Sequence, residues 1–72
     1  MNQTEVLMEH FILDLFENLD EDEIAFRKLT NTFSKSVCRC MLMKTNGHHG
    51  QAQERLNIGH STFYRNIHRE IN

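Results

Sequence analysis

Proline and tryptophan are absent from this 72-residue sequence, and glycine occurs only three times. Without proline nothing forces a helix to break, so the composition favours long helices over a loop-rich or all-β chain. The first residues contain no basic stretch followed by a sustained apolar run, so we expect no signal peptide. No apolar run is long enough to cross a bilayer as a helix. These absences predict an all-α, cytoplasmic protein without a membrane segment.

The sequence also has few cysteines. Cys38 and Cys40 are the only two, separated by one residue. On a helix their side chains would point about 200° apart, so they are poorly placed to form a disulfide or to bind one metal ion together. We expect reduced thiols that fill a core or lie at the surface. Because a nucleophile motif and a glycine-rich phosphate loop are also missing, we expect no enzymatic activity and no cofactor.

Basic residues are missing from the first third of the chain. Residues 1–24 contain eight acids and no Lys or Arg, whereas residues 25–72 contain all eight basic residues and two acids, a balance of +6. One interpretation is that the C-terminal part faces an anion. The other is a solvated charge asymmetry without a function, and charge alone does not choose between them.

Residues 2–19 have the periodicity of a first helix. Asn2 and Glu5 have the spacing of a capping box at its start. The apolar stripe is wider than a surface helix needs, and a chain of this length obtains only a few kcal/mol of net stability from its own core. The stripe therefore predicts a second copy of the chain as a partner. Its members are Leu7, Met8, Phe11, Ile12, Leu15, Phe16 and Leu19.

A second, long helix is predicted from about Glu21 to Lys44. Asp20 and Glu23 have capping-box spacing at its start, and Gly47 lies just beyond its end, as is typical of a helix stop. Its apolar stripe consists of Phe26, Leu29, Phe33, Val37 and Met41.

The last third predicts two short helices joined by a turn. The first spans residues 51–56, and the second is expected to start with Ser61 or Thr62 as its cap and to end near Ile71. Asn57 in the turn tolerates positive φ. The apolar face of the last helix consists of Phe63, Ile67 and Ile71, and its polar face of Thr62, Arg65, His68 and Arg69. This is the plan of a helix-turn-helix, in which the second helix offers its polar face to the major groove of DNA.

Two adjacent histidines, His48 and His49, stand between glycines and raise the alternative of a metal site. A structural zinc site needs four ligands, and adjacent histidines point in different directions. We therefore expect polar residues at a helix junction and no metal.

The spacing in the last third resembles a known family. Gly47, Ala52, Leu56, Ile58, Thr62, Tyr64, Arg65 and Ile67 fall on the pattern G-N-x-x-x-A-x-x-x-L-G-I-x-x-x-T-L-Y-R-K-L. This pattern resembles the helix-turn-helix of the bacterial factor for inversion stimulation (Fis), which is shared with the C-terminal domains of sigma-54-dependent (NtrC-type) activators. The two preceding helices match Fis in order and approximate length. The β-hairpin arm of Fis has no counterpart here, so we expect no recombination-enhancing activity.

The resemblance implies one domain over residues 1–72 that forms an intertwined homodimer. Residues 1–45 would be the dimerisation core, with the two cysteines filling its centre, and residues 46–72 the helix-turn-helix. The residues expected between the subunits are Leu7, Phe11, Leu15, Phe26, Leu29, Phe33, Val37 and Met41.

The resemblance also implies which residues contact double-stranded DNA. At the corner before the helix-turn-helix they are Asn46, His48, His49 and Gly50, and in the last helix they are His60, Ser61, Thr62, Arg65 and Asn66. Arg69, on the polar face of that helix, is expected to contact DNA as well. His48 stands where relatives have Asn, and His60 stands where Arg is common. Because an imidazole gains charge in mildly acidic solution, we expect DNA binding to strengthen there.

The function expected from this resemblance is that of a homodimeric bacterial DNA-binding protein, either a transcriptional regulator or a nucleoid-associated protein. RNA polymerase or another regulator is a further candidate partner. The alternative is a small helical adaptor or anti-activator that binds another regulator rather than DNA. A third interpretation is the C-terminal domain of an NtrC-type activator. The salt dependence of DNA affinity separates a DNA-binding protein from an adaptor.

Overall fold

The computed structural model describes residues 2–68, and this part of the chain is helical without any strand. Its elements are helix α1 (Gln3–Asn18), a short 3-10 helix (Glu21–Ile24), and helices α2 (Phe26–Lys44), α3 (His49–Leu56) and α4 (His60–His68). The prediction of an all-α fold with four helices is confirmed. The expectations for Arg69 and Ile71 lie outside the described residues, and so does that for the side chain of His68.

Helix α1 begins with the predicted capping box. The Asn2 side chain accepts a hydrogen bond from the Glu5 N–H at 2.9 Å, and the Glu5 carboxylate accepts one from the Asn2 N–H at 3.3 Å. Each bond satisfies a backbone donor that the first turn of a helix leaves unpaired. The local sequence signal is therefore sufficient to place the start of α1.

The predicted start of the second helix was wrong. The segment after Asp20 forms one 3-10 turn, Ala25 is extended, and α2 begins at Phe26. In a continuous α-helix the Asp22 carbonyl would accept a hydrogen bond from the Phe26 N–H. Here the extended Ala25 interrupts the helix, the Lys28 ammonium donates to the Asp22 carbonyl at 3.3 Å, and α2 begins at Phe26.

Helix α2 ends in a Schellman motif, as the nearby glycine suggested. The Gly47 N–H donates to the Leu42 carbonyl at 2.8 Å, and the Asn46 N–H donates to the Met43 carbonyl at 3.1 Å. Asn46 has the left-handed conformation with a φ of 56°, and Gly47 follows with a φ of 82°. Both residue types tolerate positive φ, so the chain turns sharply into α3.

One buried cluster joins the C-terminal half of α2 to the two short helices. Cys38 of α2, Ala52 of α3 and Phe63 of α4 are buried together, and Phe63 is 0% exposed. Burial raises the pKa of the Cys38 thiol, which keeps it in the neutral form suited to a core. Cys38, expected at the centre of a dimer, thus fills the core of its own chain beneath the short helices, and Cys40 is exposed. Partly buried residues around the cluster are Met41, Leu42, Leu56, Ile58, Tyr64 and Ile67.

The other end of the molecule has no comparable core. Helix α1 contains no buried residue, and an open apolar groove of about 410 Å³ lies between it and the N-terminal half of α2. We call this the α1–α2 groove; its lining residues are Met8, Phe11, Ile12, Leu15, Phe26, Leu29, Thr30 and Phe33. Of the residues expected between subunits, Leu7 is exposed and Val37 is half-buried, and neither lines this groove, while Met41 packs against the Phe63 cluster. Within residues 2–68, no helix combines the length and the apolar character needed to cross a bilayer.

The turn between α3 and α4 uses a left-handed asparagine. Asn57 has a φ of 55°, which confirms that it takes the conformation that glycine adopts easily. Its N–H donates to the Glu54 carbonyl at 3.1 Å, and the next residue, Ile58, donates to the Gln53 carbonyl at 3.2 Å. These are the two bonds of a Schellman motif, and they carry Ile58 back against the core.

Helix α4 starts earlier than predicted. It begins at His60, where Ser61 or Thr62 was expected to be the cap. The Gly59 carbonyl accepts a hydrogen bond from the Phe63 N–H at 3.0 Å and closes the first turn. Ser61 and Thr62 therefore lie within the first turn, with their side chains exposed.

Replacing Asn57 by Ala tests the left-handed turn. We expect the free energy of unfolding to fall by about 1 kcal/mol, because residues other than Gly, Asn and Asp disfavour positive φ. Asn57→Gly is the matched control and should stay within about 0.5 kcal/mol of the natural chain. Urea unfolding followed by circular dichroism measures all three proteins. An equal loss in both variants would contradict the argument from φ.

Candidate nucleic-acid interface

Helix α4 separates a buried face from an exposed one. Phe63 lies in the core and Ile67, one turn later, packs beside it. Ser61, Thr62 and Arg65 are exposed. A period of 3.6 residues per turn places these two sets on different sides of the helix. The polar set is therefore free to meet a ligand while the apolar set holds α4 in place.

The side of α4 nearest to α2 is less accessible than its outer face. Asn66 is half-buried, and its side-chain amide donates to the Thr62 carbonyl at 2.8 Å. Thr62 and Asn66 line a shallow recess together with Val37 and Ile58. Of the predicted DNA-contacting residues in α4, His60, Ser61, Thr62 and Arg65 are thus exposed, and Asn66 lies at the edge of that surface.

His48 caps helix α3. Its Nδ1 accepts a hydrogen bond from the Gln51 N–H at 3.1 Å, and its backbone is extended, as an N-cap residue requires. Asparagine also caps helices well, so either residue type can provide the acceptor at this position. Gly50 follows in the first turn and is exposed, as is Asn46 before the cap.

His49 has different surroundings from its neighbour. It is half-buried, and its Nδ1 lies 2.5 Å from the Tyr64 hydroxyl of α4. Its ring also lies edge-on to Phe63, with ring centroids 5.8 Å apart. The two adjacent histidines therefore have separate structural contacts. Within residues 2–68, no group of three or more potential metal-binding His, Cys, Asp or Glu side chains comes together.

Thr45 ties the end of α2 to the start of α3, and the sequence reasoning missed it. Its hydroxyl is buried and lies 3.2 Å from the Leu42 carbonyl and 3.1 Å from the His48 carbonyl. The signal was a threonine directly after the last helical residue, where a hydroxyl can bond to a nearby carbonyl. This contact helps to orient the corner on which the His48 cap depends.

Tyr64 belongs to the sequence pattern of the last third, but its contacts were not predicted. The centroid of its ring lies 4.2 Å from the ring centroid of exposed His60 and 5.2 Å from that of His49. Tyr64 thus lies between half-buried His49 in the first turn of α3 and exposed His60 at the start of α4. A tyrosine one turn after a histidine is a weak signal, because the contact with His49 spans fifteen residues of sequence.

The charge of the chain is divided between its elements. Every acid except Glu54 and Glu70 precedes residue 25, whereas Lys and Arg all follow it. Within the described residues, α2, α3 and α4 together therefore carry seven Lys and Arg and one acid. Arg65 adds a fixed positive charge to the exposed face of α4, which can donate hydrogen bonds to a phosphate or to a guanine edge.

Replacing His48 tests its function as a cap. His48→Ala should lower the free energy of unfolding by about 1 kcal/mol, since it removes the side-chain acceptor for the Gln51 N–H. His48→Asn should stay within about 0.5 kcal/mol of the natural chain, because Asn provides an equivalent acceptor. Thermal and urea unfolding at neutral pH provide the comparison. Identical stabilities for the two variants would argue against the cap.

Comparisons of this chain with protein-family models, with curated proteins and with solved structures found no match.

Proposed function

We propose that this chain is a homodimeric DNA-binding protein of the Fis type that inserts α4 into the major groove. It acts as a bacterial transcriptional regulator or as a nucleoid-associated protein. The observation that carries this proposal is the two-sided character of α4. Phe63 anchors the helix in the core, while Ser61, Thr62 and Arg65 are exposed side by side on its outer surface.

The exposed side chains of α4 provide the chemistry that DNA recognition needs. Arg65 can bind guanine through two hydrogen bonds or neutralise a phosphate. The hydroxyls of Ser61 and Thr62 lie in the first turn, from which a recognition helix contacts bases and phosphates. At the corner before α3, exposed Asn46, His48 and Gly50 are candidates for backbone contacts. The acids of α1 would face away from the phosphates.

A second copy of the chain would cover the α1–α2 groove. Phe26 at its mouth is 82% exposed, and Phe11 and Phe33 are also exposed there. A monomer rarely leaves so large a contiguous apolar surface in water. In the Fis-type arrangement, the first two helices of both subunits pack together and place one helix-turn-helix at each end of the dimer.

A second candidate function, that of an adaptor for another regulator or for RNA polymerase, is favoured by one observation. Val6 and Leu13 are exposed on the side of α1 roughly 160° away from Met8 and Leu15 in the groove. A dimer formed through the groove would leave this second apolar strip available to a protein partner. Such an adaptor would co-purify with that partner and would not bind DNA.

Replacing Arg65 by Ala tests the DNA-binding proposal. The substitution should weaken binding by roughly 1–3 kcal/mol without affecting folding, since Arg65 is exposed. Fluorescence anisotropy with labelled duplexes of random sequence measures the affinity. For the natural chain, the logarithm of the binding constant should fall linearly with the logarithm of salt concentration.

The matched control is Arg27→Ala, which removes the same charge from an exposed position in the first turn of α2. It lies at the end of α2 away from the short helices and should leave DNA affinity unchanged. Equal affinities for the natural chain and Arg65→Ala, or no salt-dependent binding at all, would refute the proposal and favour the adaptor.

Replacing Phe26 by Ser tests the dimer. Burying one Phe side chain contributes about 1.5–3 kcal/mol, and a two-fold interface contains the substitution twice. The dimer dissociation constant should therefore rise at least about tenfold in sedimentation equilibrium. Leu13→Ser is the control, since Leu13 is 62% exposed on the opposite side of α1. A folded natural chain that sediments as a monomer at micromolar concentration would contradict the dimer.

A further inference from the structure

A chain of ring contacts connects the exposed start of α4 to the core. His60 is exposed, and its ring centroid lies 4.2 Å from that of Tyr64, with an angle of 42° between the ring planes. The Tyr64 ring in turn meets Phe63 edge-on, with centroids 5.7 Å apart and an angle of 87°. Phe63 is fully buried. An exposed side chain in the first turn of α4 is thus linked through one neighbour to the most buried ring of the molecule.

Tyr64 is itself held from two directions. Its hydroxyl lies 2.5 Å from Nδ1 of His49, a residue in the first turn of α3, and the two rings are 5.2 Å apart. His49 also touches Phe63 edge-on. Tyr64 therefore contacts both α3 and the core, and these contacts limit the positions that its ring can take beside His60.

The position of His60 matters for binding because an exposed side chain loses rotamer freedom when it contacts a ligand. A side chain that already stands in one orientation loses less, and its contact with the ligand becomes more favourable. A ring at 4.2 Å restricts the χ angles of His60 before any ligand arrives.

We propose that Tyr64 is a positioning residue for the DNA contact of His60. Its ring holds the His60 imidazole in the orientation that meets DNA, and the packing of that ring against Phe63 and the His49 ring holds Tyr64 itself in place. This inference rests on the proposed DNA-binding function. Tyr64 acts through His60 and requires no DNA contact of its own.

A double-mutant cycle in the full chain tests this proposal. The probe is a pool of labelled duplexes of random sequence, with affinity measured by fluorescence anisotropy. Tyr64→Leu and His60→Ala should each weaken DNA binding by about two- to tenfold. The first variant leaves the His60 side chain to be ordered when DNA binds, and the second removes the DNA contact of His60. The double variant should bind no more weakly than His60→Ala, since residues that act through one another are non-additive.

Tyr64→Phe is the conservative control. It keeps the ring beside His60 and removes the hydroxyl that meets His49, so binding should stay within about twofold of the natural chain. Full additivity in the cycle, or equal losses for Phe and Leu at position 64, would overturn the proposal. Unchanged affinity in Tyr64→Leu would overturn it as well.

A measurement without DNA separates this inference from the proposed function. The ring protons of His60 should show a ring-current shift in NMR spectra that persists in Tyr64→Phe and disappears in Tyr64→Leu. The absence of that shift would refute the positioning contact even if DNA binds. If the shift is present and Arg65→Ala binds DNA as the natural chain does, the proposed function fails while the ring contact stands.

Discussion

The burial of Phe63 against Cys38 and Ala52 is the contact on which the described structure depends. Each of the three helices that form the core contributes one of these side chains. Truncating a buried Phe costs about 3–5 kcal/mol, whereas a single helix cap contributes about 1 kcal/mol. Ala52 is fully buried, and its small side chain lets α3 approach α2 closely; a larger one would overpack the site. Without the Phe63 contact, α4 would lose its anchor in the core, and its exposed polar side chains would no longer have defined positions.

The corners on either side of α3 determine the direction of that face. Both use a left-handed asparagine, Asn46 at the first and Asn57 at the second. The first corner also contains the buried Thr45 hydroxyl and the His48 cap, so the backbone groups at the helix ends find partners without water. These local bonds contribute less free energy than the core. They select one path of the chain, and that path decides whether Arg65 points outward.

The two ends of α2 have contrasting surroundings. Its C-terminal half carries a core made by its own chain, whereas its N-terminal half and α1 share a groove lined by exposed aromatic side chains. A short chain that buries so little at one end gains most from a partner that covers it. The acids before residue 25 cluster at that end, whereas Arg39, Lys44, Arg55 and Arg65 lie in the C-terminal half of α2 or in the short helices. Our proposals for a dimer and for DNA binding assign different tasks to these two ends.

The sequence by itself determined the features that depend on neighbours within one or two turns. They include the all-α class, the capping box of Asn2 and Glu5, the end of α2, the positive φ of Asn57 and the two-sided pattern of α4, because helical periodicity and caps involve residues three to five apart. Tertiary structure decided the rest. The core position of Cys38 and the meeting of His49 with Tyr64 require α2, α3 and α4 to be folded together. Long-range packing has no period in sequence, so no local pattern could place these contacts.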